Sequence, residues 1–279
     1  MRGMGDTAAY LRRGIREIIC LALFYFTYLA GEYLFDVRVA EFVPPSEVVV
    51  YESFIVGASA IGFLVRPLLY YRRSRAIDTT SDIAGVLLAS ALLLLMMAAQ
   101  FEMLIAGGLL TFCTLGYCGS TAHANFARRF ARTPYLARVL ALSYALGVLL
   151  QVLNHMVMPA GIPQQFVLVA CAVAQVVLLH NVRRAKLHGE PEVGRESDIA
   201  ELSVDASEFG VKWQDDSEST AAFRRAVVRL TVATACLTGV FAALNAGLTT
   251  SHAAGAIDLG DWPRLLMAAS ALAAGALFD

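Results

Sequence analysis

Eight stretches of this chain are long and apolar enough to cross a bilayer, and Lys and Arg gather on every second connection between them. A hydrocarbon core takes roughly 20 mostly apolar helical residues, which the pattern supplies near Ile15–Phe35, Val48–Tyr71, Ile83–Gln100, Glu102–Ala127, Ala137–Met158, Phe166–His180, Ala222–Thr249 and Pro263–Phe278. Inside lipid each backbone polar group must be satisfied within its own segment, so helices are the expected solution. The expected fold class is all-α, a polytopic transmembrane bundle of about eight spans. A hydrophobic content of 58% and a mean hydropathy of +0.61 place the chain well outside soluble composition.

The charges fix an expected orientation. Arg2, Arg12, Arg13 and Arg16 precede the first span, Arg66, Arg72, Arg73 and Arg75 end the second, and Arg128, Arg129, Arg132 and Arg138 separate the fourth from the fifth. Arg183, Arg184 and Lys186 follow the sixth span, and Arg224, Arg225 and Arg229 open the seventh; the opposite connections carry only Arg38 and Arg264. The positive-inside rule puts the N-terminus and the basic connections in the cytoplasm, in a multi-pass protein of a cell inner membrane. The first span lacks a small-residue cleavage site and is expected to remain as a helix.

Hydrophobic periodicity collapses between Leu187 and Thr220, where ten Asp and Glu accumulate against Arg195 and Lys212. That stretch reads as an acidic cytoplasmic linker. It divides the chain into a six-span bundle at 1–186, a linker at 187–221 and two further spans at 222–279. Asp261 is placed to cap the eighth span, with Pro263 in its first turn, and Asp279 ends the chain as that span should emerge, which reads as a truncation. Cys20, Cys113, Cys118, Cys171 and Cys236 all fall in apolar stretches, the setting of small buried hydrophobes and not of disulfides or a metal site.

Polar residues within spans mark the faces turned toward protein or a water-filled cavity, because lipid does not solvate them. At 100° per residue, Tyr25, Tyr28 and Glu32 share a face of the first span; Cys113, Gly116, Tyr117, Ser120 and His123 one of the fourth; Tyr144, Gly147, Gln151, Asn154 and His155 one of the fifth; and Thr231, Thr234, Thr238, Asn245 and Thr249 one of the seventh. The third and sixth spans are apolar nearly all round and are expected to face lipid. The candidate cavity-lining residues are Tyr25, Tyr28, Glu32, Tyr117, His123, Gln151, Asn154, Thr238 and Asn245. Two readings stand side by side for the stripes: a cavity wall, or close helix packing through small residues, as the ridge Ala235, Gly239, Ala243 and Gly247 illustrates. Glu32 is compatible with proton coupling, with a cationic ligand or with interfacial water.

Six spans, an acidic linker and further spans, with polar faces on the first, fourth and seventh, resemble the major facilitator superfamily of secondary transporters. The resemblance implies a six-helix half plus two helices of a second half around a central cavity. The segment Arg72-Arg73-Ser-Arg75 with Asp78 sits where that family carries Gly-x-x-x-Asp-Arg-x-Gly-Arg, although Gly62 is followed four residues on by Arg66 in place of Asp. Gly275-Ala-Leu-Phe-Asp279 fits the opening of its second copy. Leu115-Gly-Tyr-Cys-Gly-Ser-Thr-Ala-His123, Pro134-Tyr-Leu-Ala-Arg138 and Ser143-Tyr-Ala-Leu-Gly147-Val-Leu-Leu-Gln151 are similar to the membrane portion of bacterial regulators that carry a LuxR-type helix-turn-helix domain.

The functions in view are therefore a small-molecule transporter or a fragment of one, and a ligand-sensing membrane module without its DNA-binding domain. The expected partners are the lipid bilayer, an unidentified small-molecule ligand and a partner chain or missing C-terminal half that completes the bundle. No Walker loop, HExxH, GxSxG or Gly-rich strand-to-helix turn occurs, so neither enzyme activity nor a cofactor is expected. The basic clusters act as topology anchors and make no nucleic-acid surface.

Overall fold

The computed structural model describes residues 3–72, 76–130, 135–158, 162–187 and 262–278. The linker beyond Leu187, the seventh predicted span with Thr238 and Asn245, and Asp261 lie outside them. The described residues form α1 (Gly3–Val39), α2 (Pro45–Arg72), α3 (Ala76–Met97), α4 (Phe101–Phe130), α5 (Leu136–Val157), α6 (Ile162–Leu187) and α7 (Trp262–Phe278), with no strand among them. α7 is the eighth predicted span.

Five segments are long and apolar enough to cross a membrane: Gly14–Val39, Ser46–Val65, Phe101–Ala127, Leu136–Val157 and Ile162–His180. The described residues are thus all-helical, and their apolar helices are those of an integral membrane protein. The apolar runs of the third and eighth predicted spans are shorter, Ala84–Met97 and Arg264–Ala276. At about 1.5 Å per residue neither run alone matches a hydrocarbon core of about 30 Å. α1 continues to Val39, one turn past its predicted end, and Pro45 opens α2 at the position where its missing N–H costs nothing.

Close approach at glycines sets the helix directions. Gly14 meets Phe130, Gly31 meets Phe112, and Gly108 meets Phe35, so α1 and α4 run antiparallel. Gly147 abuts Ala22, Tyr25 and Phe26 while His155 lies beside Tyr33, which makes α1 and α5 parallel. Gly62 on the Cys113 carbonyl and Gly116 on the Ser59 carbonyl mark the crossing of α2 and α4, and Gly108 meets Ile55 on one side of it while Gly119 meets Phe63 on the other, so the two helices run parallel. Gly275 sits on Ala137 and Ala141, with Ala268 packed among Ala145, Val148 and Val152, so α7 runs antiparallel to α5. Up–down alternation from α1 through α5 requires the first three of these directions.

The main core joins Phe26, Phe35, Ile55, Leu88, Leu92, Leu104, Phe112, Leu115 and Leu168 from α1, α2, α3, α4 and α6. A second cluster packs Leu21 and Phe24 against Phe126 and Phe130. At one end of the bundle Arg38 donates to Glu41 at 2.6 Å and to the Ala98 carbonyl, tying the end of α1 to that of α3. Outward faces are apolar. On α6 Phe166 and Val173 are exposed, and on α3 Val86 and Met97 are exposed opposite the buried edge Leu88, Leu92 and Leu95. Hydroxyls inside the bundle are mostly satisfied by their own helix, as with Thr27 on the Leu23 carbonyl and Ser143 on the Val139 carbonyl.

Candidate functional site

A line of polar side chains follows α1 from Tyr25 to Asp36, met in turn by α4, by α2 and by α7. The first step joins α1 to α4. The Tyr25 hydroxyl lies 2.9 Å from His123 Nε2, and His123 Nδ1 lies 2.8 Å from the Gly119 carbonyl oxygen. A carbonyl only accepts, so Nδ1 carries a proton; in the neutral ring Nε2 then accepts from Tyr25, a tautomer assigned from its partners. Phe24 and Tyr25 meet the imidazole edge-on at 5.5 and 5.6 Å, and Tyr144 of α5 meets the Tyr25 ring at 5.0 Å. Two glycines make room for this node. A Cβ on Gly119 would enter the Phe24 ring, and one on Gly147 would strike Tyr25 and the Ala22 carbonyl.

One turn further on, Tyr28 packs edge-on against Phe112 at 5.2 Å, and its hydroxyl lies 3.2 Å from Ser59 Oγ on α2. Ser59 also donates to the Val56 carbonyl at 2.8 Å. Its single proton is thereby committed, so Tyr28 donates to Ser59.

The next turn carries the carboxyls. Glu32 comes within hydrogen-bonding reach of Glu52 from α2, which is only 8% exposed, and both stand in electrostatic range of the Tyr28 hydroxyl. Asp36 follows on α1, and the Arg264 guanidinium of α7 acts on both Glu32 and Asp36. Arg264 lies over the Tyr33 ring at 5.8 Å, and Tyr33 touches the His155 ring at 5.5 Å. Three acidic side chains from two helices thus share one region with one described guanidinium. In a membrane span that arrangement is costly and points to function.

The structure brings together Tyr25, His123, Tyr28 and Glu32 in this line. Gln151 is buried on the side of α5 that faces α1, with its Oε1 unpartnered; Asn154 is half-buried nearby, and its Oδ1 is unpartnered too. Tyr117 is elsewhere: its ring belongs to the main core with Phe26, Phe112 and Leu115, and its backbone nitrogen meets α2 at Gly62. The stripe Cys113–Gly116–Tyr117 therefore lies along the α2–α4 crossing.

Sequence reasoning passed over Glu52, Asp36 and Arg264 as site residues. Glu52 carried a usable signal, an ionisable group one turn inside a span. Asp36 was assigned to the connection after Phe35, and Arg264 to the loop side of its span; only the packing of α1, α2 and α7 reveals that they meet. Among the described residues no group of three His, Cys, Asp or Glu side chains is arranged to hold a metal ion. The chain matches no protein-family model, no curated protein and no solved structure.

Proposed function

We propose that the chain is a small-molecule transporter of major-facilitator-like architecture in a bacterial inner membrane, with its N-terminus in the cytoplasm. The observation that supports this reading is the polar line along α1, in which Tyr25–His123, Tyr28–Ser59 and Glu32–Glu52 bridge successive turns of a membrane helix to α4 and α2. A purely structural bundle has no need to place hydroxyls, an imidazole and carboxyls in register through its interior. Secondary transporters keep their binding groups in the membrane interior at the junction of several helices. A ligand-sensing membrane module is the second reading. It draws on the same place, because the segment Leu115–His123 contributes His123 and the segment Ser143–Gln151 contributes Tyr144 and Gln151 to this region.

Flux separates the two readings. Proteoliposomes containing the chain are expected to take up members of a labelled library of small organic solutes faster than empty liposomes, and Glu32→Gln is expected to remove that excess. Saturable binding with no flux would favour the sensing module. Reporter fusions after Arg75, Arg132 and Ser203 are expected to lie in the cytoplasm, and those after Pro45, Gly161 and Gly255 outside. A reversed reporter within the first six spans would overturn the orientation.

A further inference from the structure

Three buried atoms left without partners on the faces of α1 and α5 that carry the carboxyls share one chemical character, whereas Arg38 Nε, an unpartnered donor two residues past Asp36, belongs to the side of α1 tied to Ala98. Asp36 Oδ1, Gln151 Oε1 and Asn154 Oδ1 are all buried, all unpartnered and all acceptors. Gln151 is the most constrained, at 3% exposure. Its place on α5 follows from the parallel register with α1: Gly147, one turn before it, abuts Tyr25, and His155, one turn after it, touches Tyr33. The amide therefore faces the stretch of α1 between those levels, which carries Tyr28 and Glu32. Tyr144, on the same side of α5, is also within electrostatic range of Glu32.

A buried acceptor with no donor forfeits the hydrogen bonds it would make to water, and acidic groups crowded in one place add repulsion. A ligand that brings both N–H donors and positive charge relieves both penalties. A bare metal ion does not suit the spacing, since the described carboxyls do not converge as metal ligands. An organic cation reaches across a wider site, and the rings of Tyr28, Tyr33 and Tyr144 offer faces and edges to its body.

We propose that the region between α1, α2, α5 and α7 is a binding site for an organic ammonium ion, with Glu32 and Glu52 as counter-charges, Gln151 as a neutral acceptor, and Arg264 as the internal cation that the ligand displaces. The proposal deepens the transporter reading by naming its substrate class, and it rests on the same site. Protons shared among Glu32, Asp36 and Glu52 are the competing way to balance the charge, and the groups facing them are Tyr28 on α1, Tyr144 and His155 on α5 and Arg264 on α7.

The test uses the full chain in lipid nanodiscs at neutral pH, with 2-phenylethylammonium as probe and neutral 2-phenylethanol and anionic 3-phenylpropionate as controls. Calorimetry is expected to show saturable binding of the amine alone. Glu32→Gln and Glu52→Gln should each weaken it about tenfold or more, Gln151→Leu about threefold, and Arg264→Gln should strengthen it. Val173→Ala on the outer face of α6 should leave it unchanged, and thermal unfolding of each variant reports whether the fold survives. Equal binding of 2-phenylethanol, amine binding indifferent to both carboxyl variants, or proton exchange with no amine binding would overturn the assignment. Amine binding without flux would remove the transport reading and leave the site standing, whereas flux of neutral or anionic solutes without amine binding would do the reverse.

Discussion

Replacing Gly116 with alanine is expected to destabilise the bundle by about 3 kcal/mol or more, near the upper end of overpacking costs, and Gly62→Ala is expected to do the same. A Cβ at Gly116 would stand 2.1 Å from the Ser59 carbonyl oxygen, and one at Gly62 would stand 2.0 Å from that of Cys113. Both obstacles are backbone atoms, so no rotamer change relieves them. α2 and α4 would have to separate along their whole crossing, and Ser59 would move off Tyr28 with them. Gly57, whose added Cβ meets nothing within 4 Å, is the control on the same helix. Thermal unfolding in detergent measures the difference: Gly57→Ala should leave the midpoint near that of the unaltered protein, while Gly116→Ala and Gly62→Ala should lower it sharply. Equal midpoints for the three variants would show that the two helices do not approach as closely as described.

The second large effect has the opposite sign. Glu52→Gln is expected to raise stability by on the order of 1 kcal/mol or more, because it removes one of three acidic groups crowded at one place, where like charges disfavour one another. The amide N–H can donate to the Glu32 carboxyl, and the change removes an acidic group beside Glu32 and Asp36. A residue kept for the fold alone would lose stability on the same change. Urea or thermal unfolding of the variant beside the unaltered chain decides between them: a higher midpoint marks Glu52 as a functional group held at a cost in stability, and a lower one marks it as structural.

How much of this could be read from the sequence depended on whether the information was local. Span positions were legible because length and apolarity are properties of one segment, and five of the eight predicted spans correspond to helices long and apolar enough to cross. α2 begins at Pro45, three residues before the predicted Val48, because a proline at the first helical position extends the helix beyond its apolar run. The face of α1 bearing Tyr25, Tyr28 and Glu32 follows from the helical period alone. Rotation of one helix against another is not local, and there the sequence was silent. His123 and Tyr117 lie on one stripe of α4, yet the first reaches Tyr25 and the second enters the core against α2. Glu52 lies one turn inside the second predicted span, and only the packing of α1 against α2 sets Glu32 beside it. The predicted first span ends with its apolarity at Phe35, short of Asp36, while backbone hydrogen bonding carries α1 to Val39. The glycines at 62 and 116 matter through the carbonyls they face, which belong to a different helix.

The central claim is that the turns of α1 from Tyr28 to Asp36 border a polar space shared by α2, α5 and α7, while α6 turns its outer face to lipid. Single cysteines at Glu32, Gln151 and Val173, introduced into a chain whose five native cysteines are replaced by serine or alanine, and exposed in membranes to a water-soluble thiol reagent, test it most directly. Rapid labelling at Glu32→Cys and Gln151→Cys, with slowing by 2-phenylethylammonium and no labelling at Val173→Cys, is the predicted result. Inert cysteines at both interior positions beside a freely reactive one at Val173 would contradict it.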